Sequence, residues 1–104
     1  MPIVVITTIP KENAKDLAKL ILDERLGACV NIIDDITSLF WWKEKVEEAR
    51  ESMLIIKTKE ASFPKLKTLI ADNHPYDVAE IISFKIDNMH QPYFEWINKE
   101  VKNF

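Results

Sequence analysis

The chain has 104 residues, of which 47% are hydrophobic and 30% charged, with a formal net charge of −3 and one cysteine. That length buries roughly two-thirds of its unfolded surface as a single domain over residues 1–104, and the composition excludes a disordered chain. The mildly acidic balance argues against a nucleic-acid protein, no apolar run approaches the roughly 20 residues of a membrane span, and lone Cys29 excludes an internal disulfide.

The N-terminal stretch MPIVVITT lacks the charged region of a signal peptide, and with the single cysteine it points to a reducing, cytoplasmic setting. Residues 3–9 are apolar and β-branched between Pro2 and Pro10, which predicts a first strand. Residues 13–26 carry Ala14, Leu17, Ala18, Ile21 and Leu22 at the spacing of an amphipathic helix. Asn13 is its expected N-cap, and Gly27, the only glycine, is its expected left-handed C-terminal residue.

Cys29–Trp42 and residues 46–59 read as two long strands joined by a tight connection at Lys43-Glu44-Lys45, with Asp34-Asp35 marking a bulge or bend. A helical reading of residues 43–52 competes, because Glu, Ala, Arg and Lys favour helix. Residues 62–73 predict a second helix capped by Ser62, with Pro64 in its first turn, and His74-Pro75 ends it. Residues 79–87 predict a fourth strand and residues 92–102 a short helix carrying Phe94, Ile97 and Val101. The order β-α-β-β-α-β plus one helix is the ferredoxin-like α+β pattern, with both crossover helices on one face of a four-stranded antiparallel sheet.

Two features predict an oligomer. Strands bare on one face should alternate, yet Ile3-Val4-Val5-Ile6, Met53-Leu54-Ile55-Ile56 and Ile81-Ile82 are continuous apolar runs, so both faces need covering. Strands of about 14 residues reach on the order of 45 Å, whereas a domain of this size is about 33 Å across. The tip holding Phe40, Trp41 and Trp42 should therefore overhang its own body, where its open edges invite a second copy. Adjacent tryptophans on a strand point to opposite faces, so the pair meets two different bodies.

The segments ACVNI (28–32), ITS (36–38), WW (41–42), K-x-E-E (45–48), IIKT (55–58), HPY-x-V (74–78), EII (80–82) and Y-x-x-W-I (93–97) resemble, in order, the CutA family of divalent-cation tolerance proteins. The resemblance spans essentially the whole chain. It implies a ferredoxin-like protomer in a homotrimer of PII-like architecture, with a role in tolerance to copper and other divalent ions and with copper binding. The sequence departs from the family pattern in three places. Glu44 replaces a common glycine, which predicts a wider or differently typed turn; Asp34-Asp35 replaces Pro-Gly; and Ala79 replaces proline.

Metal chemistry has two candidate donors. Cys29 offers a soft thiolate, against the alternative of a small buried hydrophobe. His74 offers an imidazole, against a helix-end residue bonding nearby carbonyls. His90 reads as a solvated loop residue, Met53 as strand packing, Met89 as a soft donor in principle only, and Asp34-Asp35 as a solvated bend. No chelating Cys or His spacing exists, so any site draws on several segments or subunits. A Cys29/His74 dyad lacks an oxyanion hole or orienting group, and one glycine cannot build a phosphate loop, so no enzyme activity and no obligatory cofactor is expected.

The favoured reading is a cytoplasmic homotrimer that binds copper weakly through Cys29 and His74. The alternative is a PII-like sensor whose inter-subunit cleft, lined by Trp41, Trp42, Lys57 and Tyr76, binds a small anion and signals to a partner protein. A third is a stable trimer whose link to metal is indirect. Neither nucleic acid nor membrane is an expected partner.

Overall fold

The computed structural model describes residues 1–102 and gives β1 (Pro2–Ile9), α1 (Lys11–Asp23), β2 (Cys29–Trp42), β3 (Lys45–Lys59), a 3-10 turn (Glu60–Ser62), α2 (Phe63–Asp72), β4 (Ile82–Lys85) and α3 (Gln91–Glu100). The sheet runs β2-β3-β1-β4, with each neighbouring pair antiparallel. This is the ferredoxin-like arrangement, and α3 is added to it. Residues 45–50 lie in β3, so the competing helical reading is excluded.

Register sorts the sheet into two faces. Ile3, Val5, Thr7 and Ile9 of β1 pair with Thr58, Ile56, Leu54 and Ser52 of β3, and all eight are buried. They form the core with Ala14, Leu17 and Ile21 of α1 and Leu66 and Ile70 of α2. The opposite face carries Val4, Ile6, Met53, Ile55, Cys29, Asn31, Ile33, Ile82 and Phe84. Of these, Asn31, Ile33, Ile82 and Phe84 are exposed, so a largely apolar sheet face contributed by all four strands is left open.

The hairpin overhangs as expected. β1 covers β3 only from Ser52 to Lys59, and from Glu51 outwards β3 pairs with β2 alone. The principal extents are 45 × 25 × 21 Å. A register shift between Ile33 and Ile36 confirms the bulge at Asp34-Asp35, where Asp35 has φ 62°. The Ser52 hydroxyl donates to Asp34 Oδ1 at 2.6 Å, tying the bulge to β3.

Several local expectations need correction. Helix α1 begins at Lys11 after Pro10, and the Asn13 amide donates to the Pro10 carbonyl, so Asn13 lies inside the first turn rather than capping it. The left-handed residue ending α1 is Arg25, φ 58°, and no glycine has positive φ. The Leu26 amide donates to Ile21 and the Arg25 amide to Leu22, which is a Schellman closure with arginine in glycine's usual place. Gly27 serves packing instead: a Cβ there would lie 2.9 Å from Ile56 Cγ2 and 3.0 Å from Ile21 Cγ2.

Ser62 already has helical dihedrals, and its buried hydroxyl has no partner among the described residues, so it does not cap α2. β4 spans four residues rather than nine, and beyond its start the Thr8 carbonyl on β1 meets the His74 ring. The hairpin turn is not wider. Trp42 pairs with Lys45, and the two residues between them, Lys43 and Glu44, have φ 50° and 65°, the signature of a type I′ turn built without glycine.

Candidate functional site

Cys29 opens β2 directly opposite Lys57 of β3, and both point to the open sheet face. Asn31, two residues on, shares that face. The Cys29 thiol lies 3.8 Å from Asn31 Oδ1, and the Lys57 ammonium donates to the same oxygen. α3 packs against β3 and brings the Tyr93 phenol to Cys29. Burial, then the charge and hydrogen bond of Cys29, raise the Tyr93 pKa above 10.0. A thiol, an amide, an ammonium and a phenol thus converge at one end of the open face.

His74 lies elsewhere. Its Nε2 is 2.7 Å from the Thr8 carbonyl, which can only accept, and its Nδ1 is 3.1 Å from the Tyr76 amide, which can only donate. The partners therefore fix the neutral Nε2–H tautomer and occupy both nitrogens. The Tyr76 ring tilts against the imidazole with centroids 4.9 Å apart. Its hydroxyl hydrogen-bonds to Glu51, and burial, then Glu51 and Glu12, raise the Tyr76 pKa above 10.0. Glu51 is only 4% exposed and sits at the root of the overhang, opposite Ile36.

The two expected metal donors do not meet in a protomer. Thr8 pairs with Met53 and Cys29 with Lys57, a separation of four residues along the strands and two strand spacings across them, about 16 Å in all. Among the described residues there is no group of three or more His, Cys, Asp or Glu side chains placed to hold a metal ion. His90 is exposed and precedes α3, where its carbonyl receives the Tyr93 and Phe94 amides. Met53 and Met89 are half-buried, and Asp34 and Asp35 are exposed.

The four cleft candidates are also dispersed. Trp42 pairs with Lys45, twelve residues along β3 from Lys57, a span of about 40 Å. Tyr76 lies between them, at Glu51. On the overhang, Phe40 and Trp42 lie on the open-face side, while Leu39, Trp41 and Val46 lie on the other. Trp41 is 75% exposed and Leu39 65%, so this second side is also uncovered in the protomer. Sequence reasoning missed Asn31, Tyr93 and Glu51. Only Glu51 left a signal: its strand position has the parity of Met53 and Ile55, so its carboxylate had to enter a face otherwise filled by apolar groups.

Comparison with known proteins agrees with this geometry. Residues 3–100 match the family described as CutA1 divalent ion tolerance protein. The divalent-cation tolerance protein CutA of Thermus thermophilus is 40% identical over 97 residues, covering 92% of this chain and 94% of that protein. Mouse protein CutA is 40% identical over 93 residues, but the chain spans only about half (52%) of its length. Among solved structures, CutA1 from Oryza sativa has a TM-score of 0.96 at 41% identity, covering 99% of this chain and 95% of that one. The periplasmic divalent cation tolerance protein CutA from Archaeoglobus fulgidus has a TM-score of 0.95 at 33% identity, covering 98% and 100%. No helix among the described residues is long and apolar enough to cross a membrane. Matched in sequence and in fold along nearly all its length, the chain belongs to the CutA1 divalent ion tolerance family.

Proposed function

We propose that this chain acts in divalent-cation tolerance as a homotrimer without enzyme activity, binding copper weakly through Cys29. The observation that carries the assembly is the open sheet face, where all four strands present apolar side chains. A face of this kind marks an interface, and the overhanging hairpin supplies the reach to a neighbour. Copper is the cargo in this reading. Cys29 suits it as a half-buried soft donor whose sulfur makes a long contact to Asn31 and lies beside the Tyr93 phenol. His74 would have to release the Thr8 carbonyl or the Tyr76 amide to ligate, so its contribution would be secondary. The single cysteine supports a reducing, cytoplasmic setting.

Sedimentation should give three times the protomer mass, and a monomer would refute the assembly. Calorimetric titration with Cu(II), and with Cu(I) under reducing conditions, should show weak binding that Cys29→Ala abolishes and His74→Ala retains. Absence of binding below about 1 mM would refute direct copper binding.

A second reading rests on Lys57, an ammonium on the open face beside Asn31. There it could hold a small anion in a cleft completed by Trp41, Trp42 and Tyr76 of neighbouring copies. Binding of inorganic phosphate that Lys57→Met abolishes, with copper binding unchanged, would favour this sensor.

A further inference from the structure

We propose that the overhanging hairpin of one copy docks its second face into the groove between α2 and residues 77–81 of a neighbouring copy, with Trp41 filling the groove. The proposal rests on the assembly put forward above and names the surface that completes it. When the open sheet faces turn towards a common centre, the other face of each overhang turns outwards, the side on which a neighbour carries its helices. That face holds Leu39, Trp41 and Val46, exposed by 65%, 75% and 56%. Its own body offers no strand to shelter them, since β3 pairs with β2 alone from Glu51 outwards.

The groove matches that face in place, lining and charge. β4 is the outermost strand of the sheet, so its outer edge is free to receive another strand. On the helix side of that edge lies a groove of about 460 Å³ between α2 and the segment leading into β4. Ala71, Val78 and Ile81 give it apolar walls, Val78 being 72% exposed, and Lys67, Asp72 and Asp77 form its rim. Lys67 and Asp72 are five residues apart on α2, a rise of about 7.5 Å. On the hairpin, Glu48 and Arg50 continue the Val46 face about 7 Å apart. As Trp41 enters, Glu48 meets Lys67 while Arg50 meets Asp72 and Asp77. The Arg50 contact to Asp35 is long, 3.7 Å, and exposed, so guanidinium donors are left for this second partner. A peptide of one charge sign would satisfy only one end of the rim, whereas the hairpin satisfies both.

The test is a charge exchange across the contact, read as dissociation on dilution of the full chain in sedimentation. Lys67 and Glu48 are exposed in the protomer, so reversing either leaves the protomer fold intact, which circular dichroism checks. Lys67→Glu and Glu48→Lys should each weaken assembly about tenfold, because each sets like charges together. The double variant restores the pair with its signs exchanged and should return to within about threefold of wild type. Lys15→Glu, on the exposed side of α1 and outside the groove, should leave assembly unchanged. If the wild type assembles and the single reversals change nothing, the groove is left to a foreign partner and the proposal is overturned, with the assembly intact. A double variant as weak as the two losses combined would overturn it equally. A wild-type chain that stays monomeric at every concentration would refute the assembly and the docking together.

Discussion

Gly27→Ala separates two explanations for the only glycine in the chain. If Gly27 ended α1 in the left-handed conformation, asparagine would be tolerated there and alanine would cost about 1 kcal/mol. The structure gives that role to Arg25. At Gly27 the obstacle is steric: an added methyl lies 2.9 Å from Ile56 Cγ2 and 3.0 Å from Ile21 Cγ2. Both isoleucines are 0% exposed, and their β-branches are stiff, so neither methyl can swing away without moving its strand or helix. Overpacking of this kind costs about 1–3 kcal/mol, and the lower entropy of the unfolded alanine chain returns about 0.4–1 kcal/mol. The net expectation is a loss of about 1–2 kcal/mol, or about 5–15 °C in melting temperature. Gly27→Asn adds more volume and should lose more. The assay is thermal unfolding at matched protein concentration, because the proposed assembly would make the midpoint concentration-dependent. An alanine variant as stable as wild type, or an asparagine variant more stable than alanine, would refute the packing account.

Replacing Lys43-Glu44 with Asn-Gly should raise stability by about 1–2 kcal/mol, because both positions hold positive φ at the cost of left-handed backbone; an unchanged melting temperature would remove strain as a feature of this turn. His74→Ala frees the Thr8 carbonyl and the Tyr76 amide, and should destabilise by about 1–3 kcal/mol in urea unfolding. Tyr76→Phe leaves the buried Glu51 carboxylate without its phenol donor and should lower stability at neutral pH. Because the folded Tyr76 pKa lies above its unfolded value of 10.0, the wild-type chain keeps this contribution below about pH 10 and loses it as pH rises through the folded value. The variant should therefore show a shallower alkaline decline than wild type, and parallel declines would refute the assignment.

The elements legible in the sequence were those whose signals are local and redundant. β2 was read over its observed span, because a long β-branched and aromatic run is bounded by charge at one end and by Gly27 at the other. The bulge was readable because two acidic residues interrupt that run. What misled was chemistry that can be satisfied in more than one way. Asn13 and Ser62 have capping side chains, yet the first turns of α1 and α2 close on backbone groups instead. Gly27 sits one step past a Schellman closure that arginine completes. β4 is shorter than its apolar run suggests at both ends, and nothing local to residues 79–81 reveals that a ring from residue 74 meets the Thr8 carbonyl beside them. The site suffered from the same limit. Cys29, His74 and Lys57 could be nominated by residue type, but Asn31 and Tyr93 matter only through a register and a helix position that the chain does not state locally.

The overhang gives this division its functional meaning. Inside the body, β3 alternates as a one-faced strand should: Ser52, Leu54, Ile56 and Thr58 are buried against the helices, and Met53, Ile55 and Lys57 are half-exposed. Beyond Glu51 no helix or third strand remains, yet both faces still carry large apolar groups, Phe40 and Trp42 on one and Leu39, Trp41 and Val46 on the other. A two-stranded ribbon alone is marginal in water, so these side chains cannot stabilise it unaided. The polar partners on β3, among them Lys45, Glu47 and Glu48, limit unspecific association in the isolated protomer. Covering both faces takes two surfaces, and the open sheet face of a protomer offers only one side of the contact. In the proposed homotrimer the hairpin would pass between bodies rather than rest on one, which a closed ring of copies provides and an isologous pair of sheet faces alone does not. Trp41→Ser should then weaken the assembly about as strongly as Trp42→Ser, read as dissociation on dilution in sedimentation. A large effect from Trp42 alone would reduce the interface to the open face.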